Sequence, residues 1–320
     1  MKKRTIWIVF SALLACLTCV TAAGCEVTMH SPNIYSYKNA ESYSAVAFGE
    51  EKTLSEIEEI TSLDFEWIVG EVEVSTSDTA EEIKLYEKIE NAVSPDIAVK
   101  ASDVGEEFLL RYAVVDKILC VRFAKNNVDL AQSPFCGTPS LKKTLFVILP
   151  KKHIEKTKIL SVSSSVAVDG VVGNEITVNS VSGRIATTDC SAENMVFGSV
   201  SGALSLENCA IGNTLKCNTV SGKIATNACS AKEFDFNTTS GAIEATNTVC
   251  KKATFASTSG GVSLSVPKET LGFTVDYSTT SGTFSPSVDV KKAGDSYVYG
   301  DGSVKFIVRT TSGNLTLTLD

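Results

Sequence analysis

Apolar and small polar residues alternate along the second half of the chain, and the alternation recurs at a nearly fixed interval. Each repeat contains one Ser-Gly dipeptide, and successive dipeptides are 19, 20, 19, 19, 22 and 31 residues apart. Their serines are Ser182, Ser201, Ser221, Ser240, Ser259, Ser281 and Ser312. Alternation with a period of two residues is typical of β-strands, because successive side chains of a strand point to opposite faces. The pattern therefore predicts short strands that repeat along the chain.

Three positions of the repeat are apolar when each serine is numbered zero. Position minus six holds Ile176, Met195, Leu215, Phe234, Ala253, Val275 and Phe306. Position minus four holds Val178, Phe197, Cys217, Phe236, Phe255, Tyr277 and Val308. Position plus three holds Ile185, Leu204, Ile224, Ile243, Val262, Phe284 and Leu315. One coil of this length cannot bury its own apolar residues, whereas stacked coils bury them in continuous columns.

The repeat thus predicts an all-β fold, a single-stranded parallel β-helix or solenoid with coils of 19 to 20 residues. A leucine-rich repeat has a similar period, but its L-x-x-L-x-L pattern is missing here. We expect the glycine of each dipeptide to supply a positive φ at a tight corner. The first copy, at Ser163-Ser164-Ser165, lacks this glycine.

Most cysteines of the repeat region fall at fixed positions. Cys190, Cys209 and Cys229 each follow their serine by eight residues, and Cys250 follows its serine by ten. We interpret them as small, reduced core residues, because parallel side chains of stacked coils rarely give the torsion of a disulfide. Cys120 and Cys136 remain the alternative pair for a bridge. None of the seven cysteines beyond Cys25 forms a C-x-x-C pair, so we expect no structural zinc site.

The N-terminus has the pattern of an export signal. A positive segment, Lys2 to Arg4, precedes the uncharged apolar stretch from Ile6 to Val20, which is shorter than the ~20 residues of a spanning helix. Small residues then lead to Cys25, in an order that resembles a bacterial lipobox. We expect residues 1–24 to be a lipoprotein signal peptide and Cys25 to be lipidated, with Cys16 as the alternative. The protein would then be exported and lipid-anchored to the outer face of the cell membrane, in the cell envelope.

The segment between the signal and the repeats is divided by composition. Residues 25–60 are polar and acidic and are interpreted as a tether and lead-in. Residues 61–160 are interpreted as a β-rich N-terminal part, with strands on both sides of Gly70, two strands between Phe108 and Phe123, and a buried strand that ends at Pro150. Residues 78–93 fit a helix or a strand. Residues 161–320 form the repeats.

Composition argues against several classes of function. The formal net charge is −8 and no basic stripe is present, which disfavours nucleic acid as a partner. The chain has only two histidines, His30 and His153, and no hydrolase, metalloprotease or phosphate-binding motif. Four charged residues of the repeats, Asp189, Glu207, Lys223 and Glu244, do not share one column. We therefore expect a protein that is not an enzyme and that needs no cofactor or metal.

The order of these features resembles a known family. A W-x-x-G-x-V-x-V pattern starts at Trp67, a strand ends at Leu149-Pro150-Lys151, and V-S-G-x-I repeats follow. This combination is similar to the bacterial adhesin family of repetitive β-solenoid domains found in envelope lipoproteins. The resemblance implies a binding role without catalytic residues. The expected ligand is a glycan, a peptide or a cell-wall polymer; the alternative is a structural or sensory envelope protein that acts through protein contacts.

The last two repeats differ from the others in length. Residues 286–302 insert a charged segment between Ser281 and Ser312. We expect a loop there that covers the end of the stack, and we expect the final repeat, from Val308 to Leu317, to be the end coil. End-to-end dimerisation is the alternative, because an uncovered end presents unpaired backbone groups.

Overall fold

The structure, a computed structural model, describes residues 34–55, 59–136 and 141–320. It contains two compact units, one up to Ala167 and one from Val168 onward. The predicted signal peptide and both candidate lipidation sites, Cys16 and Cys25, lie outside the described residues. No helix in the described part of the chain is long and apolar enough to cross a bilayer.

The first unit is built almost entirely from strands. They are β1 (Ile34–Tyr35), β2 (Ser44–Ala45), β3 (Glu51–Leu54), β4 (Ser62–Ser77), β5 (Ile83–Asn91), β6 (Arg111–Val115), β7 (Ile118–Arg122), β8 (Val128–Asp129), β9 (Leu141–Pro150) and β10 (His153–Asp169), which crosses the boundary between the units. The short helix α1 (Ala101–Val104) and 3-10 turns at Ala40–Ser42, Glu106–Phe108 and Leu130–Gln132 connect them.

Strand β4 organises this unit. Its first part, from Ser62 to Glu66, pairs in parallel with β7, and its second part, from Glu71 to Ser77, pairs in parallel with β9. The strand changes partner at Gly70, which has a φ of 99° and lies so close to β9 that a Cβ would overlap the carbonyl oxygen of Lys143. The alternating apolar and acidic residues on both sides of Gly70 therefore belong to one long strand, which changes its partner at the glycine.

Two parts of the first unit differ from the sequence interpretation or settle its ambiguity. Part of the expected tether, residues 34–54, contains β1, β2 and β3, and β3 pairs with β5. Residues 78–93, which fitted either a helix or a strand, contain β5, which lies between β3 and β9 with antiparallel pairing on both sides.

The second unit contains the repeats. Its strands are β11 (Val172–Ser180), β12 (Ile185–Thr188), β13 (Ser191–Ser199), β14 (Leu204–Glu207), β15 (Ala210–Thr219), β16 (Ile224–Asn227), β17 (Glu233–Thr238), β18 (Ile243–Thr246), β19 (Lys252–Ser257), β20 (Val262–Val266), β21 (Gly272–Ser278), β22 (Phe284–Pro286), β23 (Lys291–Ala293), β24 (Ser296–Gly300), β25 (Val304–Thr310) and β26 (Leu315–Leu319).

Each coil contributes one strand to each of two parallel sheets. The first sheet contains β11, β13, β15, β17, β19, β25 and β21, in that order. The second sheet contains β12, β14, β16, β18, β20, β26 and β22. The strand registers align the three predicted apolar columns, whose members are buried except Tyr277 and Phe284 in the outermost coil. The predicted all-β solenoid is confirmed.

The order of the coils corrects one expectation. The coil made of β25 and β26 lies between the coil of β19 and β20 and the coil of β21 and β22, so the final repeat is not the end of the stack. The insertion is a β-hairpin rather than a loop, and its strand β24 pairs antiparallel with the free edge of β21. The outer strand of this hairpin carries Lys291 and Lys292, charges that discourage further pairing at a sheet edge.

Cross-linking can test this order of coils. Ser263 pairs with Thr316, which in turn pairs with Ser285, and all three are exposed on the second sheet. The cysteine pair Ser263→Cys and Thr316→Cys should be joined by a short thiol reagent, because neighbouring strands are about 4.8 Å apart. The pair Ser263→Cys and Ser285→Cys spans about twice that distance and should react poorly. Preferential linking of the second pair would show that the coils stack in chain order.

The Ser-Gly corners form a ladder of side-chain hydrogen bonds. The hydroxyl two residues before the serine accepts a hydrogen bond of 2.8 to 3.0 Å from the glycine N–H. The accepting residues are Ser180, Ser199, Thr219, Thr238, Ser257 and Thr279. At the copy without glycine, the N–H of Ser164 makes the same bond to Ser161 at 2.9 Å.

The physical reason for the corner glycines differs from the expected one. None of Gly202, Gly222, Gly241 or Gly260 has a positive φ. Instead they stack directly on one another, and a Cβ on each would overlap the carbonyl oxygen of the glycine in the preceding coil. The close approach of stacked backbones, rather than a special backbone conformation, excludes larger residues here.

Two adjacent glycines provide a matched test. We expect Gly260→Ala to lower the free energy of unfolding by about 1–3 kcal/mol, because its Cβ would force the coils apart. Gly261→Ala should change it by less than about 1 kcal/mol, because its Cβ would meet only the Asn314 carbonyl oxygen at 3.5 Å. Urea unfolding of both variants gives the comparison, and equal losses would exclude the stacking explanation.

The opposite corner uses the left-handed backbone region in four of the coils. Asp189, Asn208, Ala228 and Asn247 stand seven residues after their serines and have φ values between 51° and 53°. Asp and Asn tolerate this conformation better than other residues with a side chain, so Ala228 is the strained member. We expect Ala228→Asn to raise the free energy of unfolding by about 0.5–1 kcal/mol, which urea unfolding would show as a higher midpoint. Thr246→Asn, on a neighbouring strand, is the control and should give no gain.

The column after this corner contains the thiols. Cys190, Cys209 and Cys229 are buried and free, as expected, whereas Thr248 takes this position in the next coil and Cys250 lies outside the column. Burial raises the pKa of Cys190 to about 12, which keeps its thiol protonated. No disulfide joins Cys120 and Cys136, so the alternative bridge is not formed in the structure.

Candidate binding face

The side chains on the outer face of the first sheet are mostly polar, and many of the charged ones pair with one another. Its side chains alternate with the buried columns, so they occupy positions minus three, minus five and minus seven. Ion pairs link neighbouring coils at Lys252 and Glu233 (2.5 Å) and at Lys305 and Asp276 (3.1 Å). Equivalent side chains of neighbouring coils stand next to one another on this face, because the strands of the sheet are in register.

A shallow open groove of about 460 Å³ interrupts this face next to the Ser-Gly corner. It runs across four neighbouring coils, from β15 to β25. Its lining consists of asparagine, threonine and serine residues with one alanine and one arginine: Asn218, Thr219, Asn237, Thr238, Thr239, Ala256, Ser257, Thr258, Arg309, Thr310 and Thr311.

One small residue creates the floor of the groove. In the minus-three column Asn237 pairs with Ala256, which in turn pairs with Arg309. The alanine leaves a gap between two long polar side chains whose backbones are two strand spacings, about 10 Å, apart. The groove exists because the short side chain falls in this coil and not in its neighbours.

The rim of the groove follows from a second change along the repeat. The residue just before the serine is Val181, Val200 and Val220 in the first three coils, and threonine in the later ones. Thr239, Thr258 and Thr311 are exposed and are stacked through backbone hydrogen bonds of 3.1 and 3.2 Å. Their hydroxyls therefore line one edge of the groove at regular intervals.

The polar groups of the groove differ in whether they already have a partner within the protein. The amide of Asn237 donates to Asn218 at 3.3 Å and to Asp235 at 2.9 Å. Arg309, by contrast, is exposed and forms no ion pair within 4.0 Å in the described part of the chain. Asp276, whose carboxylate interacts electrostatically with Arg309, is held by Lys305 at 3.1 Å and by a 2.5 Å hydrogen bond from Ser296, and that hydrogen bond lowers the pKa of Asp276.

The first unit contains two buried charge clusters that sequence reasoning missed. In one, Arg122 is 2% exposed and pairs with Asp64 at 3.1 Å and with Glu66 at 3.5 Å. The Tyr37 and Tyr43 rings cover its guanidinium group, at 5.9 and 5.6 Å. Burial raises the pKa of Glu66, and the Arg122 charge opposes that shift. The register of β4 with β7, which places Glu66 opposite Arg122, brings these residues together.

The second cluster surrounds Lys143, which is fully buried. Its ammonium group donates to the carbonyl oxygens of Phe108 (2.5 Å) and Phe123 (2.6 Å) and pairs with Glu87 at 2.8 Å. The ring of Trp67 lies 4.9 Å from the same nitrogen. Three acceptors match the three N–H groups of an ammonium ion, so the cluster satisfies its charge within the core. Neither cluster lines the groove.

The predicted site residues have different outcomes. Cys25 lies outside the described residues, and so does His30; His153 is an exposed residue at the start of β10. Among the described residues no group of His, Cys, Asp and Glu side chains is arranged to hold a metal ion. The groove itself was not predicted, although the change from valine to threonine before the serine is visible in the sequence.

The fold and this face define a β-solenoid of the kind that presents a repetitive polar surface. The chain belongs to the Toastrack DUF4097 family, whose model matches residues 128–318. No curated protein matches the sequence.

Two solved structures are similar to the chain. One, from Parabacteroides distasonis, is provisionally described as an adhesin; it is 11% identical, with a TM-score of 0.52, and the match covers 83% of this chain and 96% of that one. The other, from Clostridium sporogenes, is provisionally described as a cell adhesion protein; it is 14% identical, with a TM-score of 0.28 over 85% and 98% of the two chains. The first likeness supports the fold, and the resemblance to an adhesin-like family is confirmed.

Proposed function

We propose that this protein is a non-catalytic, adhesin-like binding module of the cell envelope, and that it binds its ligand through the groove beside the Ser-Gly corners. The observation that carries the proposal is the groove itself. It interrupts a strand face on which the charged side chains near the groove are paired with one another. A few convergent polar groups in a concave surface are typical of ligand sites. The rigid stack of coils holds these groups in place without a cost of ordering on binding.

The ligand proposed for this site is a glycan or a cell-wall polymer. The groove offers hydroxyls and carboxamides, which hydrogen-bond sugar hydroxyls, and Ala256 is the one apolar residue of its lining. It contains no acidic or histidine residue that could act as a general acid or base. Binding without turnover is the function that this chemistry supports.

Retention on glycans tests the proposal. The chain from residue 26 onward should bind members of a glycan array or insoluble peptidoglycan, and the double variant Asn237→Ala/Thr258→Val should lose at least tenfold in affinity. Lys223→Gln, on the outer face of the second sheet, is the control and should bind like the unaltered chain. Failure of the unaltered chain to bind any glycan or peptidoglycan would overturn the proposal.

The cell-surface part of the proposal rests on the N-terminal signal. We propose that the signal peptide is removed before Cys25 and that a lipid on this cysteine anchors the protein to the outer face of the membrane. Mass spectrometry of the mature protein should find a diacylglyceryl group on an N-terminal Cys25. An unmodified N-terminus further along the chain would contradict the lipid anchor. A lipid on Cys16 would contradict Cys25 as the modified residue.

A further inference from the structure

We infer that the ligand of the groove is a saccharide that carries a carboxylate, and that Arg309 binds this carboxylate. The inference rests on the proposed function of the same groove and adds the chemical class of the ligand. It is carried by one contrast: Arg309 is exposed and forms no ion pair within 4.0 Å among the described residues, whereas the charged side chains next to the groove on the same face are paired with one another.

The charges around the groove compensate one another in pairs. Lys216 lies 3.7 Å from Asp235, Lys252 lies 2.5 Å from Glu233, and Lys305 lies 3.1 Å from Asp276. The guanidinium group of Arg309 is therefore the net charge that this surface presents to a ligand. Arginine holds a carboxylate through two parallel hydrogen bonds, which gives both strength and orientation.

The position of Arg309 fits one acidic group rather than a polyanion. The minus-three column holds Asn218, Asn237 and Ala256 on one side of it and Ser278 on the other, so the positive charge is not repeated along the stack. The whole chain has a formal net charge of −8, which disfavours densely charged polymers. A sugar ring with one carboxylate meets both conditions.

The rest of the groove favours a saccharide over a peptide carboxylate. The gap above Ala256, between Asn237 and Arg309, is about 10 Å wide at the backbone and can hold one ring. Sugar hydroxyls match the stacked Thr239, Thr258 and Thr311 hydroxyls on the rim. Ala256 is the only apolar residue of the lining, so the groove offers no cluster of apolar residues for the side chains of a peptide next to this carboxylate.

A glycan array that contains neutral sugars, uronic acids and sialic acids tests the inference. We expect the unaltered chain to retain carboxylate-bearing glycans and to lose them when the carboxylate is converted to its methyl ester. Arg309→Gln should weaken binding of the acidic glycans at least tenfold, and Arg309→Lys, which keeps the charge but not the paired hydrogen bonds, should lose less. Lys223→Gln removes a cation from the other sheet and should leave binding unchanged.

The outcomes separate this inference from the proposed function. Binding of neutral glycans alone, unaffected by Arg309→Gln, would overturn the carboxylate and leave the groove as a glycan site. Binding of peptides with a free C-terminal carboxylate, but of no glycan, would overturn the saccharide. Circular dichroism of each variant should match that of the unaltered chain, because Arg309 is exposed and forms no ion pair within 4.0 Å in the described part of the chain.

Discussion

Replacing Ile224 with aspartate should unfold the solenoid. Ile224 is fully buried in the plus-three column between Leu204 and Ile243, its partners in the neighbouring coils. Aspartate at this position would place an unpaired carboxylate in an apolar core and leave a gap where the larger side chain packed. We expect a loss of more than about 4 kcal/mol of unfolding free energy, which exceeds what most single substitutions cost.

The neighbouring residue provides the control for this variant. Lys223 points outward, is about half exposed and pairs with Glu244 at 2.6 Å. Lys223→Gln should cost less than about 1 kcal/mol, because exposed ion pairs contribute little. Thermal unfolding followed by circular dichroism compares the two, and similar stability of both variants would refute the register of the second sheet.

Removing the buried ammonium group of the first unit should have an effect of similar size. Lys143→Met keeps much of the side-chain volume but leaves the Glu87 carboxylate buried without its partner. Two carbonyl oxygens, those of Phe108 and Phe123, lose their donor as well. We expect a loss of about 3–5 kcal/mol, the usual cost when one member of a buried pair is removed.

The adjacent lysine is the matched control. Lys142 lies on the opposite face of β9, is 42% exposed, and pairs with Glu71 at 2.7 Å. Lys142→Met should change the unfolding free energy by less than about 1 kcal/mol in urea. If Lys143→Met were as harmless as Lys142→Met, the ammonium group would have no structural role in the core.

The sequence predicted those features of the fold that recur in every repeat. The three apolar columns, the strand that precedes Ser182 and its equivalents, and the two strands between Phe108 and Phe123 could be predicted, because local alternation determines which side of a strand is buried. The positions of the corner glycines could be predicted, but their role could not. That role depends on the distance between stacked coils, which the sequence of a single repeat does not reveal.

Other features depend on contacts between distant residues. Lys142 and Lys143 look alike in the sequence, and only the pairing of β5 with β9 shows that Lys143 meets Glu87 in the core. The order of the last coils could not be predicted either, because both carry the same columns and fit the same neighbours. The spacing of 31 residues before Ser312 was the one sign that this part of the stack differs.

Filling the groove is the most direct test of the proposed binding site. Ala256→Trp places a large side chain on the floor of the groove without removing any of its polar groups, and Ala225→Trp places the same side chain on the outer face of the second sheet. Calorimetric titration with a glycan retained by the unaltered chain should show no detectable binding to Ala256→Trp and undiminished affinity for Ala225→Trp. Equal binding by both folded variants would contradict the assignment of this groove as the site.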